Sequence, residues 1–99
     1  MKRAELVRVA RAMLDDKINL IEGVRRICSL RFEVNDPENE AFFIIRAIDS
    51  ETDHYPLGEI RSRCSSEYLI RIDSEMDDYL EASREYLVDA CIQIIKRFS

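Results

Sequence analysis

Glycine and proline are nearly missing from this chain, with two of each in 99 residues. A sheet protein needs turn residues at short intervals, so this supply excludes a predominantly β architecture and leaves helix formers to fill most positions. Histidine occurs once, at His54, and cysteine three times, at 28, 64 and 91. Cysteines this far apart make no C-x-x-C metal pair, and an odd number cannot be fully paired within one chain. Cys28 and Cys91 fall on apolar helical positions, where cysteine behaves as a small hydrophobe. Such usage suits a reducing cytosol, and a cytoplasmic location is expected. No run approaches the ~20 apolar residues of a membrane span. The opening MKRAELVRVARAML alternates charge with apolar residues and lacks the unbroken apolar core of a signal peptide. G-x-S-x-G, phosphate-binding glycine motifs and the EF-hand loop are absent too.

What is present suits one small domain spanning residues 1–99, because two cores in so short a chain would each be too small to stand alone. The composition is 46% apolar and 35% charged, which is globular. Fifteen basic against twenty acidic side chains give a net charge of −5. A net acidic chain repels phosphate, so non-specific nucleic-acid binding is disfavoured. The charge is unevenly placed: residues 1–35 carry eight basic and five acidic side chains, or +3, and residues 36–99 carry seven and fifteen, or −8. Two readings follow. The two parts pack together and neutralise each other, or an acidic face is offered to a basic partner.

Apolar spacing predicts an all-α bundle of four main helices near 3–16, 19–32, 37–52 and 66–98. In the first, Leu6, Ala10, Met13 and Leu14 form one stripe. Asn19 and Glu22 have capping-box spacing for the second, with Leu20, Ile21, Val24, Ile27, Cys28 and Phe32 facing inward. Gly23 inside that helix costs up to about 1 kcal/mol against Ala, so a close helix–helix approach is the expected compensation. Asp36-Pro37 marks the start of the third. Its stripe Phe42, Ile45, Ile48, Thr52, Tyr55 steps by 3, 3, 4 and 3 and favours helix over a buried strand at FFII. Ser65 and Ser66 suit the cap of the last. That helix, about 50 Å long at 1.5 Å per residue, must bend, break or reach past its own domain.

IDSETD (residues 48–53) and IDSEMD (residues 72–77) agree in five of six letters. Helical geometry spreads the acids of IDSETD around the axis, with Asp49 and Asp53 on one side and Glu51 about 200° away from Asp49. A metal site built from this hexapeptide alone would need the helix to end before residue 49. IDSEMD reads as a solvated helix face, whereas IDSETD ends a helix, where loops carry function more often. His54 adjoins Asp53, which can orient it as a base. Arg25, Arg26 and Arg31 share one helix, as solvent charge or as anion contacts.

The segment IDSETDHYPLGEIR, residues 48–61, resembles a family of small uncharacterised bacterial proteins. Their pattern places an apolar-IEG-x-R-R/I segment after an early helix, then IDSETD, a Pro, a Gly and an Arg. Here those elements are Ile21-Glu22-Gly23, Arg25-Arg26, Asp49 to Asp53, Pro56, Gly58 and Arg61. The family carries an aromatic shortly after the Arg, where this chain has Cys64. The resemblance implies a bacterial source and no assigned activity.

The expected function is a protein-interaction module that masks a basic partner, as immunity proteins and other inhibitors do, with Asp49, Glu51, Asp53, His54 and Arg61 as its contact residues. Self-association through the C-terminal helix is a further expectation. The alternative is a metal-dependent or acid/base enzyme using the same corner. No catalytic residue, metal ligand set or cofactor is assigned. Within the corner, Ile48 and Tyr55 are expected to be buried and Glu51 in solvent. Asp49 or Asp53 is expected to bond the backbone of residues 56–60 or the Arg61 side chain, because the helix ending at Pro56 leaves the next N–H groups unpartnered.

Overall fold

The computed structural model describes residues 2–99. Four helices carry the fold: α1 Lys2–Leu14, α2 Leu20–Leu30, α3 Phe43–Thr52 and α4 Ser66–Phe98. Turns of 3-10 helix join them over Arg31–Glu33, Glu40–Phe42 and Gly58–Arg63, and no strand occurs among the described residues. FFII is therefore helical, and its whole stripe from Phe42 to Tyr55 is buried.

Helix boundaries follow local chemistry. α1 stops two residues before the expected end because Asp16 takes a left-handed conformation, φ 55°. The Asp16 N–H then donates to the Met13 carbonyl and the Lys17 N–H to the Ala12 carbonyl, which closes a Schellman motif. Asn19 caps α2 as expected, its Oδ1 accepting from the Ile21 and Glu22 N–H groups at 2.9 and 3.1 Å. The third helix starts later than Asp36-Pro37 suggests. Asp36 and Pro37 occupy the first two positions of a turn closed by Asn39 N–H to Asp36 C=O, the arrangement type I turns favour. Asn39 is the cap, accepting from Ala41 N–H at 2.9 Å. Ser65 caps α4 through the Tyr68 N–H.

Phe32 corrects the inward stripe of α2. The chain tightens into a 3-10 turn at Arg31, which shifts the side-chain phase and leaves Phe32 67% exposed. Arg31 is buried instead. It donates to the Pro37 carbonyl at 2.7 Å, and its guanidinium lies over the Phe32 ring at 4.1 Å.

α4 is unbroken, and at about 1.5 Å per residue it is longer than the 42 Å long axis of a molecule measuring 42 × 25 × 23 Å, so it bends or lies oblique to that axis. It does not overhang its own domain, because two apolar clusters cover its inner face. The larger lies between α1, α2, α3 and the C-terminal half of α4, with Leu6, Ala10, Ile27, Ile45, Leu87 and Ile94 at its centre and Phe42 and Phe98 in ring contact at 5.4 Å. The smaller joins Ile21, Tyr55, Ile72 and Met76, with Leu57, Tyr68, Leu69 and Leu80 around it. α1 and α4 run antiparallel. Arg3 donates to the Phe98 and Arg97 carbonyls at one end, and Arg84 reaches both Asp16 oxygens at the other. Arg3 thereby places a cation on the last carbonyls of α4, where the helix dipole favours it.

Gly23 lies where α1 and α2 touch. A Cβ there would stand 2.6 Å from Met13 Cγ and Sδ and 3.2 Å from Ile18 Cδ1. Met13 is buried and cannot swing into solvent. Gly23→Ala is expected to destabilise the protein by about 1–3 kcal/mol in urea unfolding despite the gain in helix propensity, since overpacking outweighs it. A variant as stable as the wild type would show that this approach is not tight.

Candidate functional site

The end of α3 and the residues just after it meet the start of α4 around the smaller core, where Tyr55 packs with Ile72 and Met76. Tyr79 Oη donates to Glu51, His54 Nε2 stands 3.9 Å from Glu75 Oε1, and Arg61 makes a two-pronged pair with Asp73 at 2.6 and 2.8 Å. Tyr55 packs beneath His54, with ring centroids 4.2 Å apart. Burial and the neighbouring Glu75 carboxylate push the Tyr55 hydroxyl up, and burial and Glu51 do the same for Tyr79. Both phenols thus stay protonated donors at neutral pH.

The expected contact residues do not converge on one point. Glu51 and His54 turn towards α4, and Arg61 is held by Asp73. Asp53 is exposed. Asp49 turns the other way, towards Cys28 on α2; burial and then this carboxylate push the Cys28 thiol up to about 11. Burial alone raises Cys91 to about 11, so both thiols remain protonated. Among the described residues no three His, Cys, Asp or Glu side chains gather closely enough to hold a metal ion. The geometry therefore assembles neither a carboxylate metal site nor an acid/base pair from Asp49, Glu51, Asp53 and His54.

Ile48 and Tyr55 are buried and Glu51 is exposed, as expected. The bracing expectation is corrected: Asp49 and Asp53 bond neither residues 56–60 nor Arg61. A helix C-terminus presents carbonyls, which need donors, and a carboxylate cannot supply them. Arg25 does, its Nη2 donating to the carbonyls of Thr52, Asp53 and Tyr55 at 2.9, 3.3 and 3.0 Å. The three arginines of the second helix segment form no common anion site. Arg25 braces α3, Arg26 joins Glu5 at 2.6 Å, and Arg31 holds Pro37.

The surface that stands out is the outer face of α4, which takes in Asp73, Ser74 and Asp77 of IDSEMD. Asp73, Asp77, Glu81, Glu85 and Asp89 recur at every fourth residue, forming one ridge along the helix. Arg61 neutralises Asp73, and Asp89 accepts from the Gln93 amide at 2.7 Å. Asp77, Glu81 and Glu85 are exposed and have no Lys or Arg within 4.0 Å among the described residues. Like charges four apart on a helix destabilise it by about 0.2–0.5 kcal/mol per pair. Exposed apolar side chains bracket these acids on the same face, giving the stripe Ile70, Ser74, Asp77, Glu81, Glu85, Val88, Ile92. Among the described residues, mutual neutralisation of the two chain parts is limited to Arg31–Glu38 and Arg84–Asp16. Basic residues of 1–35 pair largely with acids of the same stretch, in Lys2–Glu33, Arg8–Glu5 and Arg26–Glu5, and Arg31–Glu38 alone crosses to an acid of residues 36–99.

The chain matches no protein-family model, no curated protein and no solved structure. Among the described residues no helix is long and apolar enough to cross a membrane.

Two outcomes test the corner. Arg25→Met should cost about 1–3 kcal/mol in urea unfolding, as for a charged donor lost from partly buried carbonyls. Asp49→Asn and Asp53→Asn should each stay within about 0.5 kcal/mol. Equal losses in all three would restore carboxylate bracing. Second, the bond from Arg61 holds the Asp73 carboxyl below its ordinary value. A depressed carboxyl contributes stability above its unfolded value and loses it as pH falls through the folded one. The deficit of Asp73→Asn against wild type should therefore be full at neutral pH and shrink on acidification. A deficit independent of pH would remove the ion pair from the account.

Proposed function

We propose that the protein is an interaction module whose exposed α4 stripe receives a basic amphipathic helix of a partner protein. The observation that carries this reading is the unneutralised carboxylate row Asp77, Glu81, Glu85 between apolar ends at Ile70 and at Val88 and Ile92. The apolar ends offer anchors to the apolar face of an amphipathic helix, and the carboxylates between them offer partners to its cations. Cations aligned with the row relieve its self-repulsion on binding, so the partner gains affinity from strain the free protein already carries. Masking a basic surface in this way is what an immunity-like or inhibitor-like protein does. The contact residues move accordingly, from the Asp49–Arg61 corner to the outer face of α4. The corner's role is to hold the start of that helix against α3.

This reading makes function and stability pull in opposite directions. Glu81→Gln with Glu85→Gln removes like-charge repulsion and should leave the protein as stable as wild type or more so, by up to about 1 kcal/mol. The same double variant should bind a synthetic Leu/Lys amphipathic helix at least about tenfold more weakly by calorimetry, a loss of about 1.4 kcal/mol. A peptide with Glu in place of Lys should bind neither protein. Unchanged affinity in the double variant would move the partner surface elsewhere, and a loss of stability would make these acids structural.

A further inference from the structure

A second exposed face of the same chain is complementary to the α4 stripe. The outer side of α1 and the end of α4 border an open groove of about 570 Å³, lined by Arg3, Ala4, Val7, Arg8, Arg11 and Phe98. Its floor is apolar and its rim is cationic. Arg8 shares Glu5 with Arg26, and the two guanidiniums draw the Glu5 carboxyl down to about 2. Three arginines therefore remain in excess over acids among Arg3, Glu5, Arg8, Arg11 and Arg26. Arg11 has no acid within 4.0 Å among the described residues.

We infer that this groove docks the α4 stripe of a second copy of the chain, in a head-to-tail contact. The inference rests on the reading of the stripe given above and names one partner for it. Charge and length both fit. The cations run from Arg3 to Arg11 and the free carboxylates from Asp77 to Glu85. Each row spans eight residue steps, or roughly 12 Å along its helix. α1 is itself an amphipathic helix with arginines on its exposed side, which is the chemistry the stripe asks for.

One chain cannot satisfy both rows. Arg3 sits on the carbonyls of Arg97 and Phe98. Phe98 lies roughly 20 Å beyond Glu85 along α4. α1 also ends beside Arg84, where the free carboxylates begin. A two-fold α4–α4 pairing is disfavoured, because an antiparallel overlay of the stripe on itself centres carboxylate on carboxylate. The contact that remains is groove to stripe; it is either exchanged reciprocally about a two-fold axis or propagates from copy to copy until it closes, and the inference takes the second arrangement. The net charge of −5 opposes this at long range. That opposition is screened beyond the Debye length of about 8 Å at physiological salt, while contacts within the interface are screened much less.

Sedimentation equilibrium of the full chain tests it. At about 0.1 M salt the wild type should exceed its 11.6 kDa monomer mass. It should return to the monomer mass at about 1 M, where the Debye length falls to about 3 Å. Arg8→Gln with Arg11→Gln removes the groove and keeps the stripe; Glu81→Gln with Glu85→Gln does the reverse. Each double variant alone should sediment as a monomer with wild-type far-ultraviolet circular dichroism. Their equimolar mixture should form dimers and nothing larger, since one intact groove then meets one intact stripe. A monomeric wild type at the lower salt, or a mixture that stays monomeric, overturns the inference. If the Leu/Lys helix still binds a monomeric wild type, self-docking falls and the reading of the stripe stands. If neither assembly nor peptide binding occurs, both fall.

Discussion

The rest of the structure depends on the length of one helix. α4 runs from Ser66 to Phe98 without a glycine or proline. A helix that long outreaches what a single small core can cover, so its inner face has to be buried in two places. α1, α2 and α3 bury the C-terminal half around Leu87, Cys91 and Ile94, and Tyr55 with Ile21 buries Ile72 and Met76. The second cluster exists because α3 continues its stripe to Tyr55 before Pro56 turns the chain. Leu57 and the Gly58–Arg63 turn then return it to the start of α4. Gly58, at φ 61°, takes the conformation such a turn needs.

Electrostatics divides the molecule in a related way. Where helices end against other helices, charges are matched: Arg3 on the carbonyls of α4, Arg25 on those of α3, Arg84 on Asp16. Arg3 and Arg25 supply donors to carbonyls that the helix ends leave open, and they are two of the eight basic residues in the first 35. The outer face of α4 has no such matching. Its middle carboxylates repel one another at helical spacing, and the apolar groups around them lie open. Folding gains nothing from either feature, which separates this face from the rest of the surface and is why the proposed partner site is placed there.

The corner that looked most chemical in the sequence is occupied chiefly by contacts within the fold. IDSETD and IDSEMD are alike because each continues an apolar helix stripe with acids on its flanks. Once the stripes pack, Glu51, His54 and Arg61 are taken up by Tyr79, Glu75 and Asp73. The Arg25 brace left a sequence signal that was open to use: a helix ending at Asp53-His54-Tyr55-Pro56 has no glycine to close its own carbonyls, so a cation from elsewhere must. Which cation depends on the α2–α3 packing, 27 residues away in sequence.

Local periodicity settled the all-α class, the inward stripes from Leu6 to Met13 and from Phe42 to Tyr55, and the run of α4. Each of these follows from side-chain spacing within one helix. The close approach at Gly23 was legible for the same reason, since a glycine inside an amphipathic helix marks a contact. Two boundaries were not: the Asp16 left-handed cap and the Asn39 start turn on backbone bonds that several polar residues could make equally well. The partners of Arg25, Arg31 and Arg61 were decided only when the helices packed. A side chain's periodicity tells which face it occupies, whereas its ionic partner is chosen among residues far along the chain by the angle at which two helices meet.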